Sequence, residues 1–488
     1  MKAPDINHPG LRWFNTASPL SLEDLRGRVV ILDFWTFCCI NCMHILPMLA
    51  LVEKEFASSV TVIGVHSPKF SAERDPANLA KAIARYGIEH PVVNDPDMGI
   101  WRSYGVRAWP TLVFISPGGE IVGHHSGEPS PEGLLGAVGE LVERGRGENT
   151  LVPGALEFDR DDEAGGAFLF PGKLRPGPAY DGVEKTWVLA DGGHNQIVLL
   201  DDDGCELTRF GQGGRGFRDG HTDEALFNNP QGLVAGAGKV YVADTQNHAI
   251  RCIDPAAQTV VTVAGTGQRG PLLGRGTDAL QTALASPWDL EFQTNSLYFA
   301  NAGSHQLGCL DLDTLTVSAL AGSSAEDIVD GPAEGAQLAQ PSGLQLTPAG
   351  LYFVDSETSA LRVLEMGEHP RVTTLIGSGL FDFGHTNGPF QEASLQHPLG
   401  VTVLGGRLLV ADSYNGALRI VDLEAGRVDD LDDGSFVCHD PTCIPLAEPA
   451  AVAGDGDKRV LVVDTNNHRI LEYDLAGRSY HTWAGARD

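Results

Sequence analysis

The chain contains no uninterrupted apolar run of about 18 or more residues, so no segment suits a membrane-spanning helix. Its start, Met1 to Asn15, carries Asp5, His8, Pro9 and Arg12 where a secretory signal would place an apolar core. The expected location is therefore cytoplasmic, with no membrane attachment. Cysteine is sparse, at 8 in 488 residues, which excludes a disulfide-stapled scaffold. Positive charge is also in short supply: 34 Lys and Arg stand against 64 Asp and Glu, for a net charge of −30. Residues 1–150 hold 13 basic and 17 acidic residues and the remainder 21 and 47, so most of the excess lies in the second part. Such a surface repels phosphate backbones and anionic lipid head groups, which removes nucleic acid and membranes as expected partners. No long low-complexity tract is present, and a 42% hydrophobic, 20% charged composition is that of folded protein.

At this length the chain should divide into more than one domain. The first 147 residues alternate apolar runs with helical stretches, the pattern of parallel βα units. Strands are expected at Val29 to Trp35, Val60 to Val65, Pro91 to Val93, Thr111 to Ile115 and Glu120 to His125, with helices at Ile40 to Phe56, Pro76 to Tyr86 and Pro131 to Arg144. Ser116-Pro117-Gly118-Gly119 is a hairpin signal. Residues 148–164 read as a linker rich in Gly and acidic residues.

Residues 165–488 contain an internal repeat. Six segments read alike, ending at Asp191, Asp244, Asn301, Asp355, Asp412 and Asp464, and each is preceded by a Pro-centred strand start at Pro171, Pro230, Pro287, Pro341, Pro398 or Pro449. A large apolar residue stands three positions before four of these prolines (Phe227, Leu284, Leu338, Leu395), and Gly220, Gly331 and Gly388 stand ten before three. Four strands fit each interval. Such a sheet cannot bury both faces alone, so six units are expected to stack radially as a β-propeller. The corners Asp244-Thr-Gln-Asn247-His248 and Asp464-Thr-Asn-Asn467-His468 resemble the NHL repeat, with weaker forms at His305, Thr358-Ser359 and Asn415-Gly416.

The expectation of redox chemistry rests on Asp33-Phe-Trp35-Thr-Phe-Cys38-Cys39-Ile-Asn-Cys42. This places a Cys-x-x-Cys pair after a buried strand and at the start of a helix, where free N–H groups and the helix dipole favour a thiolate at Cys39. Cys42, one turn on, is placed to resolve a mixed disulfide. Asp33 follows a run of apolar residues and is expected to be buried, with a raised pKa suited to taking the Cys42 proton. A zinc site would need a second ligand pair, and the domain offers only scattered His44, His66, His90, His124 and His125. No metal or other cofactor is expected.

Together, Asp33, Trp35, Cys39, Cys42, Pro47 and Pro110 resemble the thioredoxin superfamily, and the 60–94 segment resembles its TlpA-like reductase branch. The resemblance implies a cis Trp109–Pro110 bond facing the dithiol, with Trp35 and Trp109 at the substrate surface. Cys38 departs from the family, where tryptophan is usual, and reads either as a small apolar residue or as a third redox-active thiol. The whole arrangement resembles NHL-repeat proteins with an N-terminal thioredoxin-like domain. Because the chain stops soon after a sixth outer strand, Ser479 to Trp483, the additional C-terminal β-domain of some members is expected to be absent.

Other constellations are weaker. The residues after the six prolines (Gly172, Gln231, Trp288, Ser342, Leu399, Ala450) make no ligand ring, although Asp289 and His397 lie near them in sequence. Cys438 and Cys443 allow a local disulfide, a redox exchange partner, part of a metal site or two inert thiols. The expected fold is an α/β thioredoxin-like domain followed by an all-β six-bladed propeller. The expected function is thiol–disulfide exchange at Cys39 and Cys42 in a monomer, the propeller docking a protein substrate or partner. The alternative is a protein-interaction scaffold with a vestigial or redox-sensing thioredoxin domain.

Overall fold

The segment Val29–Trp35 is apolar at six of its seven positions and buried throughout, as a central strand covered on both faces must be. In the computed structural model, which describes all residues except 155, 157, 159–165 and 486–488, it forms the centre of a six-stranded sheet. Chain order is β1 (Trp13–Phe14), β2 (Val29–Trp35), α1 (Ile40–Glu55), β3 (Val60–His66), α2 (Pro76–Tyr86), β4 (Val92–Asn94), α3 (Gly99–Ser103), β5 (Thr111–Ile115), β6 (Ile121–Ser126) and α4 (Pro131–Gly147). Sheet order is β1-β4-β3-β2-β5-β6, with β2, β3 and β4 parallel and the other pairs antiparallel. Alternation along β2 sorts its side chains. Val29 and Ile31 pack against Ile45, Leu49 and Val52 of α1 and Leu134, Val138 and Val142 of α4. Val30, Leu32 and Phe34 pack on the other face with Trp13, Trp101 and Val113. Asp33 and Trp35 share the parity of Val29, so they lie on the α1 side.

Asp75 and Ser130 cap α2 and α4 by accepting from Ala77 N–H and Gly133 N–H, each with proline at the helix start. Helix α4 continues three residues past the expected Arg144, and α3 and the short β1 were not anticipated. Of the 148–164 linker, positions 155, 157 and 159–164 lie outside the described residues. Its beginning is held down: Val152 N–H bonds Gly27 C=O at 2.8 Å and Gly154 N–H bonds Ser58 C=O at 3.0 Å.

The chain divides into two compact units, Met1–Ala164 and Gly165–Asp488. The second is a six-bladed β-propeller. Its first blade has four strands (Pro171–Pro176, Thr186–Asp191, Gln196–Asp201, Glu206–Phe210), and the other five carry a fifth of two residues on the outer edge. The repeated glycines begin these edge strands, as in Gly220–His221, Gly331–Pro332 and Gly388–Pro389. At φ of +142°, +143° and +136° they hold a conformation that side chains disfavour. The short strands cover an edge that would otherwise be open to pairing.

The repeated prolines and corners form one joint. The residue before each proline, Phe170, Asn229, Ser286, Gln340, His397 or Glu448, has φ between +46° and +62°, although residues before proline favour extended backbone. That turn aims its N–H at the corner of the preceding blade. Ser286 N–H donates to His248 Nδ1 (3.1 Å), Gln340 N–H to His305 Nδ1 (3.1 Å) and His397 N–H to Ser359 Oγ (3.1 Å). Phe170 N–H donates to His468 Nδ1 (3.0 Å), joining the last blade to the first. Each corner carboxylate or amide binds its own blade: Asp244 accepts from Asn228 N–H, and Asp355 from Ala339 N–H. Ring closure adds an apolar cluster containing Leu174, Trp187, Val463 and Trp483.

Candidate active site

Strand β2 delivers Asp33 and Trp35 to the point where the chain turns through Thr36–Cys39 into α1. Cys39 is the N-cap residue, with φ −81° and ψ +117°, and its carbonyl accepts from the N–H groups of Cys42 (3.1 Å) and Met43 (3.2 Å). Pro47 lies inside the same helix. Cys38, Cys39 and Cys42 are free thiols; Cys39 is 9% exposed, whereas Cys38 and Cys42 are fully buried. Burial pushes the Cys42 thiol well above its ordinary pKa, and nearby Cys39 and Asp33 act in the same direction. Asp33 is wholly buried and neither carboxylate oxygen has a hydrogen-bond partner among the described residues. Burial raises its pKa to about 7, with the charge of His90 partly opposing the rise. A thiol and a carboxyl whose pKa values are both raised by burial therefore lie near one another in the interior.

The loop carrying the cysteines is tied down by Glu73. This buried carboxylate accepts from Thr36 Oγ1 (2.7 Å) and Cys38 N–H (3.0 Å) through Oε1, and from Lys69 N–H (2.8 Å) and Phe70 N–H (2.9 Å) through Oε2. Glu73 lies in the 3-10 turn Ala72–Arg74, a polar stretch with no sequence signal for such a role. Behind the loop, His66 stacks on Phe37 at 5.3 Å and meets Trp35 edge-on at 5.2 Å. Burial lowers its pKa to about 3, so it stays neutral.

The Trp109–Pro110 bond is cis, and Pro110 is buried just ahead of β5, whose Thr111 pairs with Phe34. Trp109 is half-buried, donates to Ser67 C=O at 2.9 Å and packs on Trp101. Trp35, expected at the substrate surface, is interior at 1% exposure because alternation turns it beneath α1. Cys38 contacts Thr36 Oγ1 at 3.9 Å in the protein interior.

In the propeller, Cys438, in the edge strand Val437–Cys438 of the sixth blade, and Cys443, in the loop that follows it, are joined to each other as a disulfide. Asp289 and His397 are not brought into one site by any described contact. Asp289 pairs with Lys173 and accepts from Leu344 N–H at 2.8 Å, while Arg175 bonds Glu291 at 2.7 Å. These residues lie on innermost strands of the first, third and fourth blades, so the ion pairs cross the centre of the ring. His397 stacks on Tyr414 at 4.4 Å.

A thioredoxin-like family model matches residues 27–121 and an NHL repeat model matches residues 227–253. Among curated relatives, "NHL repeat-containing protein 2" of Homo sapiens is 36% identical over 96% of this chain and 69% of its own length. "Protein SUPPRESSOR OF QUENCHING 1, chloroplastic" of Arabidopsis thaliana is 38% identical over 95% of this chain, which spans 46% of that longer protein. The "Thiol-disulfide oxidoreductase ResA" of Halalkalibacterium halodurans is 30% identical over 22% of this chain and 59% of its own.

Proposed function

The chain belongs to the NHL repeat-containing protein 2 family, and from that premise we propose that it is a thiol–disulfide oxidoreductase acting on a protein bound by its propeller. The observation that carries the reading is the unpartnered, fully buried Asp33 carboxylate beside a Cys42 thiol that burial keeps protonated. A thioredoxin fold retained only as a scaffold has no use for that costly arrangement.

In the forward direction, Cys39 thiolate attacks a substrate disulfide. Its S–S bond breaks, one substrate sulfur leaves as thiolate and the other remains bonded to Cys39. Asp33 then takes the Cys42 proton, and Cys42 thiolate attacks Cys39 Sγ. The second substrate thiolate leaves, and the substrate has gained two electrons from the dithiol. An external dithiol reductant restores Cys39 and Cys42. Glu73 fixes the loop through the Cys38 N–H and Thr36 hydroxyl, keeping Cys39 at the helix start. The expected setting is the cytoplasm, with the protein a monomer.

The test is a redox titration of the full chain by mass-resolved thiol alkylation in glutathione and thioredoxin buffers. The expected result is a reversible two-electron couple between about −270 and −200 mV, lost in Cys39→Ser and retained in Cys38→Ser. Cys42→Ser should trap a mixed disulfide with the substrate protein. Absence of a reversible couple overturns the enzymatic reading and leaves the propeller as the functional part.

A further inference from the structure

Buried acid–base groups must exchange protons with solvent if they are to turn over, and Asp33 is sealed from it. On the helix side of the sheet, Cys42 and Cys39 approach from α1. Strand β5 presents only Leu112 and Phe114 on this face, and β3 contributes Gly64, opposite Asp33 in register, and the neutral His66. Among the described residues, the other titratable group that acts on Asp33 is His90, from the segment between α2 and β4.

His90 is only 3% exposed, and its two ring nitrogens face different ways. Nδ1 lies 3.3 Å from Glu53 Oε2, on a side chain 28% exposed at the surface of α1. Nε2 is buried without a hydrogen-bond partner among the described residues. It lies 3.4 Å from where a Cβ on Gly64 would stand, and Trp35 Nε1 lies 2.9 Å from that point. The glycine opposite Asp33 thus makes room for the Trp35 indole and Val92, with the imidazole in contact beside them. His90 therefore stands on the face of the sheet that carries Asp33, and its charge opposes the rise of the Asp33 pKa.

We propose that His90 and Glu53 are the exit path for the proton that Asp33 takes from Cys42, with His90 Nε2 facing the buried carboxyl and Nδ1 facing the surface glutamate. This inference rests on the thiol-exchange reading above. When Cys42 attacks Cys39 Sγ, its proton resides on Asp33. Asp33 passes it to His90 Nε2, directly or across one water, while Nδ1–H passes its own proton to Glu53 and thence to solvent. The imidazole ends neutral in its other tautomer and resets by the reverse exchange during re-reduction. No electron moves along this path; the substrate disulfide is the oxidant. His90 and Glu53 are positioning residues, since neither touches the reacting sulfurs.

The experiment uses the reduced full chain in single turnover with a symmetric nitrophenyl disulfide, which releases one chromophoric thiolate on attack by Cys39 and a second on resolution by Cys42. His90→Gln and Glu53→Gln should leave the first phase unchanged and slow the second on the order of tenfold near neutral pH. The pH midpoint of the second phase should move upward in His90→Gln. Asp33 titration, followed by carboxyl 13C NMR without any substrate, should also move upward in that variant. Second phases that overlay wild type across about pH 6 to 8, or an Asp33 titration that His90→Gln does not move, overturn the relay. A wild-type protein that releases no chromophore instead removes the exchange reading, and the relay's role with it.

Discussion

Replacing Asp33 with Asn should make the first unit more stable, increasingly so as pH rises. The carboxyl has an ordinary pKa of 3.8 and a folded-state value of about 7, raised chiefly by burial. A raised acid pKa means the folded state binds the proton more tightly. Ionisation therefore costs nothing below the unfolded pKa, accumulates between the two values and reaches its full cost above the folded one. A gap of about three pKa units corresponds to ~4 kcal/mol at 1.36 kcal/mol per unit. Asn carries no charge but still buries an amide, a cost that does not depend on pH. The diagnostic quantity is thus the change in the stability difference between Asp33→Asn and wild type. It should grow by about 4 kcal/mol from roughly pH 4 to roughly pH 8. Hydrogen exchange at the Val29–Trp35 amides reads this within the full chain, at the strand that carries Asp33. A difference that stays constant with pH would refute the reasoning, because the carboxyl would then have the same affinity for protons in both states.

Glu73→Gln leaves only one acceptor oxygen for donors that two now serve, and should cost about 1–3 kcal/mol; faster hydrogen exchange at Cys38 and faster alkylation of Cys39 are the expected readouts. Arg251→Met leaves the buried Asp244 without its 2.7 Å ion pair and should destabilise the propeller by about 3–5 kcal/mol. That loss should shrink below about pH 6, where the Asp244 carboxyl, pushed up to about 6 by burial even beside Arg251, takes a proton; urea unfolding at two pH values checks both statements. His468→Ala removes the bond from Phe170 N–H that joins the last blade to the first. It should open the ring locally, raising hydrogen exchange at Phe170 while Ser286, held by the equivalent His248, stays protected.

The parts of this molecule that could be read from sequence are those in which one physical requirement recurs or dominates locally. Burial on both faces marks β2 by an unbroken apolar run, and the lone polar member of that run, Asp33, stands out for the same reason. The propeller repeats one joint, so Pro and the corner residues recur in register. Their shared purpose became visible only when the left-handed residue before each proline was seen to aim its N–H at the neighbouring blade. What escaped were side chains whose partners are distant in sequence. Glu73 meets Thr36 across 37 positions, and Lys173 meets Asp289 across 116. Arg251, Arg362 and Arg419 recur seven residues after their corner aspartates, yet arginine in a strand normally reads as solvent-facing. Here each is fully buried, because the corner carboxylate supplies the charge that makes burial tolerable. His90 was visible among scattered histidines, but a histidine gains meaning only from what its two nitrogens face. That depends on Gly64 lying opposite Asp33, a register that no local pattern in the chain contains.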